Sequence, residues 1–144
     1  MNPDVAAVVQ ESSDLREEMK YDEALVKLDA IQENTQLSVH EKMVIAYEKG
    51  LHLHQQGYVN RAEVTLKEVL KASTDQVISK EEKSLHDLLR GMEALMMMET
   101  NGMMNQGLDV REELKASYLS SDISKIGRDD LQVLTLPSFR RLIS

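Results

Sequence analysis

Apolar positions recur at three- and four-residue spacing in six stretches of the chain, each bounded by a capping or turn residue, and this pattern predicts six amphipathic helices. The first runs from Pro3 to about Lys20: Asn2 can cap it, Pro3 takes its first position, and Val5, Ala6, Val8, Val9, Leu15 and Met19 follow helical spacing. A break near Tyr21-Asp22 leads to a second helix, marked by Ala24, Leu25, Leu28 and Ile31 and ending near Asn34. So short a connection makes the pair an antiparallel hairpin. Ser38 with Glu41 matches the S-x-x-E capping box and opens a third helix to about Gln56, which Gly57 ends. Helix four, Val59 to about Ala72, places Ala62, Leu66, Val69 and Leu70 on one face. Ser79 and Glu82 repeat the capping box before a fifth helix with the stripe Leu85, Leu88, Leu89, Met92, Leu95 and Met96. A sixth, less regular, spans about Leu108 to Leu119 with Leu108, Val110, Leu114, Ala116 and Tyr118.

Beyond Ser120 the helical pattern fails, because Gly127 and Pro137 interrupt it and Leu131 to Leu136 is β-prone. The division expected is a helical domain over residues 1–120 and an extended C-terminal tail over 121–144. Leu131, Val133, Leu134, Leu136, Phe139, Leu142 and Ile143 make that tail too apolar to favour water, so it is expected to dock on the domain or on a partner.

Composition fits an all-α fold and narrows its use. With 144 residues, one domain suffices; no cysteine is present, which removes disulfides and thiolate metal sites and makes a cytoplasmic setting the simplest expectation. Residues 1–11 have no basic region before their short apolar run, so neither a signal peptide nor membrane insertion is expected. The net charge of -8, from 25 acidic and 17 basic residues, disfavours nucleic acid, and 3% aromatic content leaves no base-stacking platform.

The first two hairpins share a grammar. Aligning Tyr21-Asp22-Glu23-Ala24-Leu25 with Val59-Asn60-Arg61-Ala62-Glu63 superposes Leu28 on Leu66 and Ile31 on Val69, at an offset of 38 residues. Gly50, Gly57, Ala62 and Leu66 in the second hairpin, and Ser12, Tyr21, Ala24 and Leu28 in the first, give the chain its likeness to a known pattern. It resembles the tetratricopeptide repeat family: a small residue inside the first helix, glycine before the turn, alanine early in the second helix and a bulky residue four positions later. Met19 replaces the turn glycine of the first hairpin. The third unit departs furthest, with Glu112 at the alanine position if Gly107 is the turn glycine, and Gly91 too far upstream. The offset also exceeds the family period of about 34 residues by about one helical turn.

The resemblance implies a short stacked array whose first helices line a groove suited to a peptide or helix, with Val44, Tyr47, Leu51 and His54 turned towards it. Lysine and asparagine clamps for a carboxylate terminus are missing there, so an apolar partner segment is expected. Six of the nine methionines lie between Met92 and Met104, and thioether side chains make adaptable surfaces. Met92 and Met96 belong to the core stripe, whereas Met97 and Met98 lie off it, and Met92, Met97 and Met98 extend the candidate partner-binding set.

Other chemistry is weakly signalled. His52 and His54 are two apart on a helix and point to nearly opposite sides, so they cannot chelate together; Glu48 shares a face with His52 but no third ligand is evident. No nucleophile triad or phosphate loop can be assigned, and the clustered carboxylates Glu17, Glu18, Asp22 and Glu23 read as solvated charge. The expectation is a non-enzymatic adaptor, without cofactor or metal, that binds an apolar segment of another protein. The alternative is a self-association module whose tail mediates homo-oligomerisation.

Overall fold

The computed structural model describes residues 2–34, 36–77, 79–102, 108–120 and 142. Among them are six α-helices and no strands: α1 (Pro3–Glu17), α2 (Tyr21–Asn34), α3 (Val39–Gln55), α4 (Val59–Ser73), α5 (Lys80–Thr100) and α6 (Leu108–Ser120). The fold is all-α, as the apolar spacing predicts. Apart from Leu142, the expected tail lies outside the described residues.

Local chemistry sets the helix starts. The Asn2 side chain accepts from the Asp4 amide at 2.8 Å with Pro3 in the first position, and both capping boxes form, Ser38 with Glu41 and Ser79 with Glu82. Glu41 does more than cap: its second oxygen accepts from the Asn2 amide at 2.7 Å, tying the start of α1 to the start of α3.

The ends of α1 and α3 are built alike. After α1 the Met19 amide donates to the Arg16 carbonyl and the Lys20 amide to the Leu15 carbonyl; after α3 Gly57 donates to His54 and Tyr58 to Leu53. Each is a Schellman turn around one left-handed residue, Gly57 at φ +89° and Met19 at φ 62°. The residue that stands where the repeat pattern has glycine therefore adopts the glycine conformation. The break between α1 and α2 accordingly falls at residues 18–20, one turn earlier than the apolar pattern suggests.

The third hairpin corrects the sequence register. Gly102, at φ +70°, is the left-handed residue that follows α5, and Gly107 lies outside the described residues. A Cβ added to Gly50 would sit 3.3 Å from Leu66 Cδ2, and one added to Gly91 would sit 2.9 Å from Leu114 Cδ1. Gly91 is thus the close-approach residue of α5 with α6, as Gly50 is of α3 with α4. Val110, four residues before Leu114, then takes the place of Ala24 and Ala62, and Glu112 does not. A longer connection and a longer α5 shift the spacing and hide this from a fixed-period alignment.

Successive helices pack in pairs, α1 with α2, α3 with α4 and α5 with α6, and α2 with α3 and α4 with α5 join the pairs. The odd-numbered helices also touch, α1 with α3 and α3 with α5. This is a stack of antiparallel hairpins with the odd helices as one layer. One apolar cluster runs through it from Val5 and Val9 to Leu114 and Tyr118, and includes Leu142.

Candidate functional site

The central helix α3 defines the site, because it is covered on almost every side. Met43 to Glu48 and Gly50 to Leu53 are all buried, and Lys49 is half-buried. Its neighbours can be assigned face by face. Gly50 meets Leu66 of α4. Lys49 reaches Asp29 and Gln32 of α2 at 2.6 and 2.7 Å. Glu48 meets Arg16 of α1 at 2.6 Å, and His54 meets Glu99 of α5 at 2.9 Å. At 100° per residue, Val44, Tyr47 and Leu51 fall between the side facing α1 and the side facing α5, opposite the side facing α2.

The same stripe exists on α5. Counted from the close-approach glycine, Leu85, Leu88 and Met92 stand to Gly91 as Val44, Tyr47 and Leu51 stand to Gly50. All six are at most 1% exposed. On α1, Val9 occupies the corresponding place relative to Ser12 and is 3% exposed. An apolar band therefore crosses the odd helices on the flanks where successive odd helices pack on one another.

Burial changes the reading of the candidate residues. Val44, Tyr47, Leu51 and Met92 do not line an open groove; they are core, so a charge placed at Leu51 would strike the fold before it struck a partner. His54 is at the margin, its ring nitrogen paired with Glu99. Met97 is exposed at 40% and Met98 is half-buried, so of the proposed set these two and His54 are the ones solvent reaches. Met97 shares the turn edge with Met19 and Tyr58, which are also exposed: the His54–Glu99 contact and the Gln55 amide donating to Tyr21 Oη at 3.3 Å bring those ends together.

A polar seam lies within the same interior. Arg16 of α1 and Glu48 of α3 form an ion pair with no exposed side-chain surface, and Ser13 Oγ donates to the same Glu48 oxygen at 3.4 Å while accepting from Arg16 at 3.3 Å. Removing one member of such a pair leaves a buried charge and costs about 3–5 kcal/mol, while replacing both by apolar groups is often neutral. The seam therefore fixes how α1 sits on α3 more than it adds stability. Sequence spacing places Glu48 and His52 on one face, but nothing in it reveals that Arg16, in another helix, arrives there.

His52 is buried beside this pair, its Nε2 3.9 Å from Glu48 Oε2, and neither ring nitrogen has a hydrogen-bond partner among the described residues. Burial first, and the Arg16 charge second, hold its pKa far below the usual imidazole value, at about 3. The Tyr21 ring stands edge-on to it with centroids 6.3 Å apart. His52 is a neutral core residue near pH 7.

Other concave features are more open. A cleft of about 620 Å³ between α5 and α6 is lined by Arg90, Gly91, Ala94, Val110, Glu113 and Leu114, among others, and mixes both charges with aliphatic surface. Among the described residues no group of three or more His, Asp or Glu is placed to hold a metal ion, and no helix is long and apolar enough to cross a membrane. Comparison with protein-family models, curated proteins and solved structures finds no match for the chain.

Proposed function

We propose that the chain is a protein-interaction module of tetratricopeptide-like hairpins, which holds an apolar segment of a partner against the odd-helix layer. The observation that supports this reading is the apolar margin that the odd-helix layer leaves open, where Met97 is exposed and Met98 and His54 are half-buried. Hairpin formation needs one apolar face per helix, and Ala46, Gly50 and Leu53 supply it on α3. Val44, Tyr47 and Leu51 form a further stripe between the sides that α1 and α5 occupy, matched by Leu85, Leu88 and Met92. That stripe is buried where α3 packs between α1 and α5, so the surface left to a ligand lies at its margin. The exposed Met97, with Met98 beside it, offers adaptable contact at the margin.

The test is site-specific photocrosslinking. Gln55 is half-buried and lies on α3 between Leu51 and Glu48, at the rim of the stripe. A photoreactive residue there should trap the partner from native extract, while one at exposed Lys71 of α4 should not. A partner trapped equally well from Lys71 would remove the reading. Self-association through residues 121–144 is the competing reading, in which the species trapped from Gln55 is a second copy of the chain.

A further inference from the structure

In the even-helix layer, α2 and α4 each pack on α3 but do not form a packed pair with each other, and a groove is left between them with α3 as its floor. At the turn edge this groove widens into a notch of about 290 Å³. Leu25 of α2, Leu53 of α3 and Val64 of α4 give it aliphatic walls, and Val64 is 45% exposed although α4 has its own buried face in Ala62, Leu66 and Leu70. Three charged residues also line the notch, Asp29, Lys49 and Arg61. Lys49 meets Asp29 at 2.6 Å, so those two charges cancel. Arg61 has no carboxylate partner among the described residues. Its guanidinium stands over the Tyr58 ring, 5.3 Å from the centroid, a contact that holds it in place and leaves its N–H donors available. In a chain of net charge -8, the notch therefore presents one uncompensated positive charge beside an aliphatic recess.

We propose that this notch docks a short segment of a partner protein in which a large aliphatic side chain stands next to an aspartate or glutamate. The aliphatic group fills the space between Leu25, Leu53 and Val64, and the carboxylate meets Arg61. The volume suits this, because it lies at the lower bound of the roughly 300–1,000 Å³ that small-ligand pockets span, enough for one anchoring side chain and its neighbour. Tyrosine and arginine beside an apolar recess are also the residue types that carry most of the energy in protein interfaces. What lies further along the groove fixes the order of the segment. A second cavity of about 300 Å³ shares Lys49 and Thr65 with the notch and adds Gln32, Ala46 and Glu68. Glu68 repels a second carboxylate there, so the acidic residue belongs at the Arg61 end and uncharged residues follow it. This site lies in the other helix layer from the margin at Met97, and it stands whether or not that margin binds a partner.

NMR titration of the isotope-labelled full chain with synthetic peptides tests this. The probe is a short peptide of glycine and serine around one leucine-glutamate pair, acetylated and amidated so that the glutamate is its only charge. Amide signals of Leu25, Leu53 and Val64 should shift, and the Arg61 Nε–H signal with them. Shifts confined to the α5 margin around Met97, or none at millimolar peptide, overturn the proposal. Exchanging the glutamate of the peptide for glutamine should weaken binding at least about threefold, within the range measured for solvent-accessible ion pairs, and added salt should erase the difference. Arg61→Gln, at an exposed position, should bind both peptides alike, as weakly as the unaltered chain binds the glutamine one. Equal binding of the two peptides by the unaltered chain, or a preference that survives Arg61→Gln, overturns the proposal. A glutamine peptide with a free C-terminal carboxylate separates the two sources of the charge: if it binds more tightly than the glutamate peptide, the site selects a chain terminus and the proposal fails. Because the probes are synthetic, these outcomes are independent of what Gln55 or Lys71 traps from extract.

Discussion

At the scale of single residues, His52 carries the clearest consequence. Its folded-state pKa is about 3, against 6.5 for a free imidazole. As pH falls below 6.5 the unfolded chain takes up a proton that the folded chain refuses, so its contribution is fully favourable above 6.5 and erodes on acidification down to about 3. The slope reaches about 1.4 kcal/mol per pH unit, which is about 2 kcal/mol lost by pH 5. The pKa of Glu41 is also lowered, chiefly by its hydrogen bond to the Ser38 backbone, and its contribution is lost only as pH falls below 4.5. The change in the Glu41 contribution therefore falls below the range from pH 7.5 to 5, in which that of His52 already declines. Replacing it with an isosteric apolar residue removes two unpartnered buried nitrogens at little expense in packing. Urea unfolding of His52→Leu should give a nearly flat stability between pH 7.5 and 5, where the unaltered chain declines. Parallel decline in both proteins would show that burial of this ring is not what couples the fold to acid.

Elements add a second lesson, about which parts of a repeat are written in residue type and which in backbone geometry. Met19 and Gly57 close equivalent Schellman turns, but a side chain at φ 62° works against the steric preference that glycine escapes. Met19 is 74% exposed, so its side chain contributes little packing in return. Met19→Gly should raise stability by about 0.5–1 kcal/mol after the entropy of the freer unfolded chain is counted. Thermal unfolding would register this, and a lower midpoint would mean the methionine makes a contact that its exposure conceals. The turn at Met19 also explains what the sequence made legible. Caps, helix order and hairpin pairing follow from local rules, and Asn2, Ser38 and Ser79 declare them outright. The third hairpin's register was hidden because its longer connection breaks the fixed offset, and only the approach of Gly91 to Leu114 restores it. The candidate groove was hidden more deeply: spacing puts Val44, Tyr47 and Leu51 on one stripe of α3, but whether that stripe is open or buried depends on how helices remote in sequence, α1 and α5, pack beside it.

On the scale of the whole molecule, stability should be graded along the stack. In an array, each hairpin contributes its own folding free energy plus an interface with its neighbours, so a central unit opens only by breaking contacts on two sides. Helix α3 packs on α1, α2, α4 and α5, and the polar seam locks it to α1, whereas among the described helices α6 packs chiefly on α5. Glu112, Glu113 and Lys115 of α6 are exposed and charged. Opening of α6 therefore leaves the rest of the layer intact, while opening of α3 dismantles it. Native-state hydrogen exchange should find the slowest amides in α3 and the facing turns of α4, and exchange in α6 at least about tenfold faster, equivalent to about 1.4 kcal/mol or more of difference in opening free energy. Uniform protection from α1 to α6 would mean that the chain opens as one cooperative body.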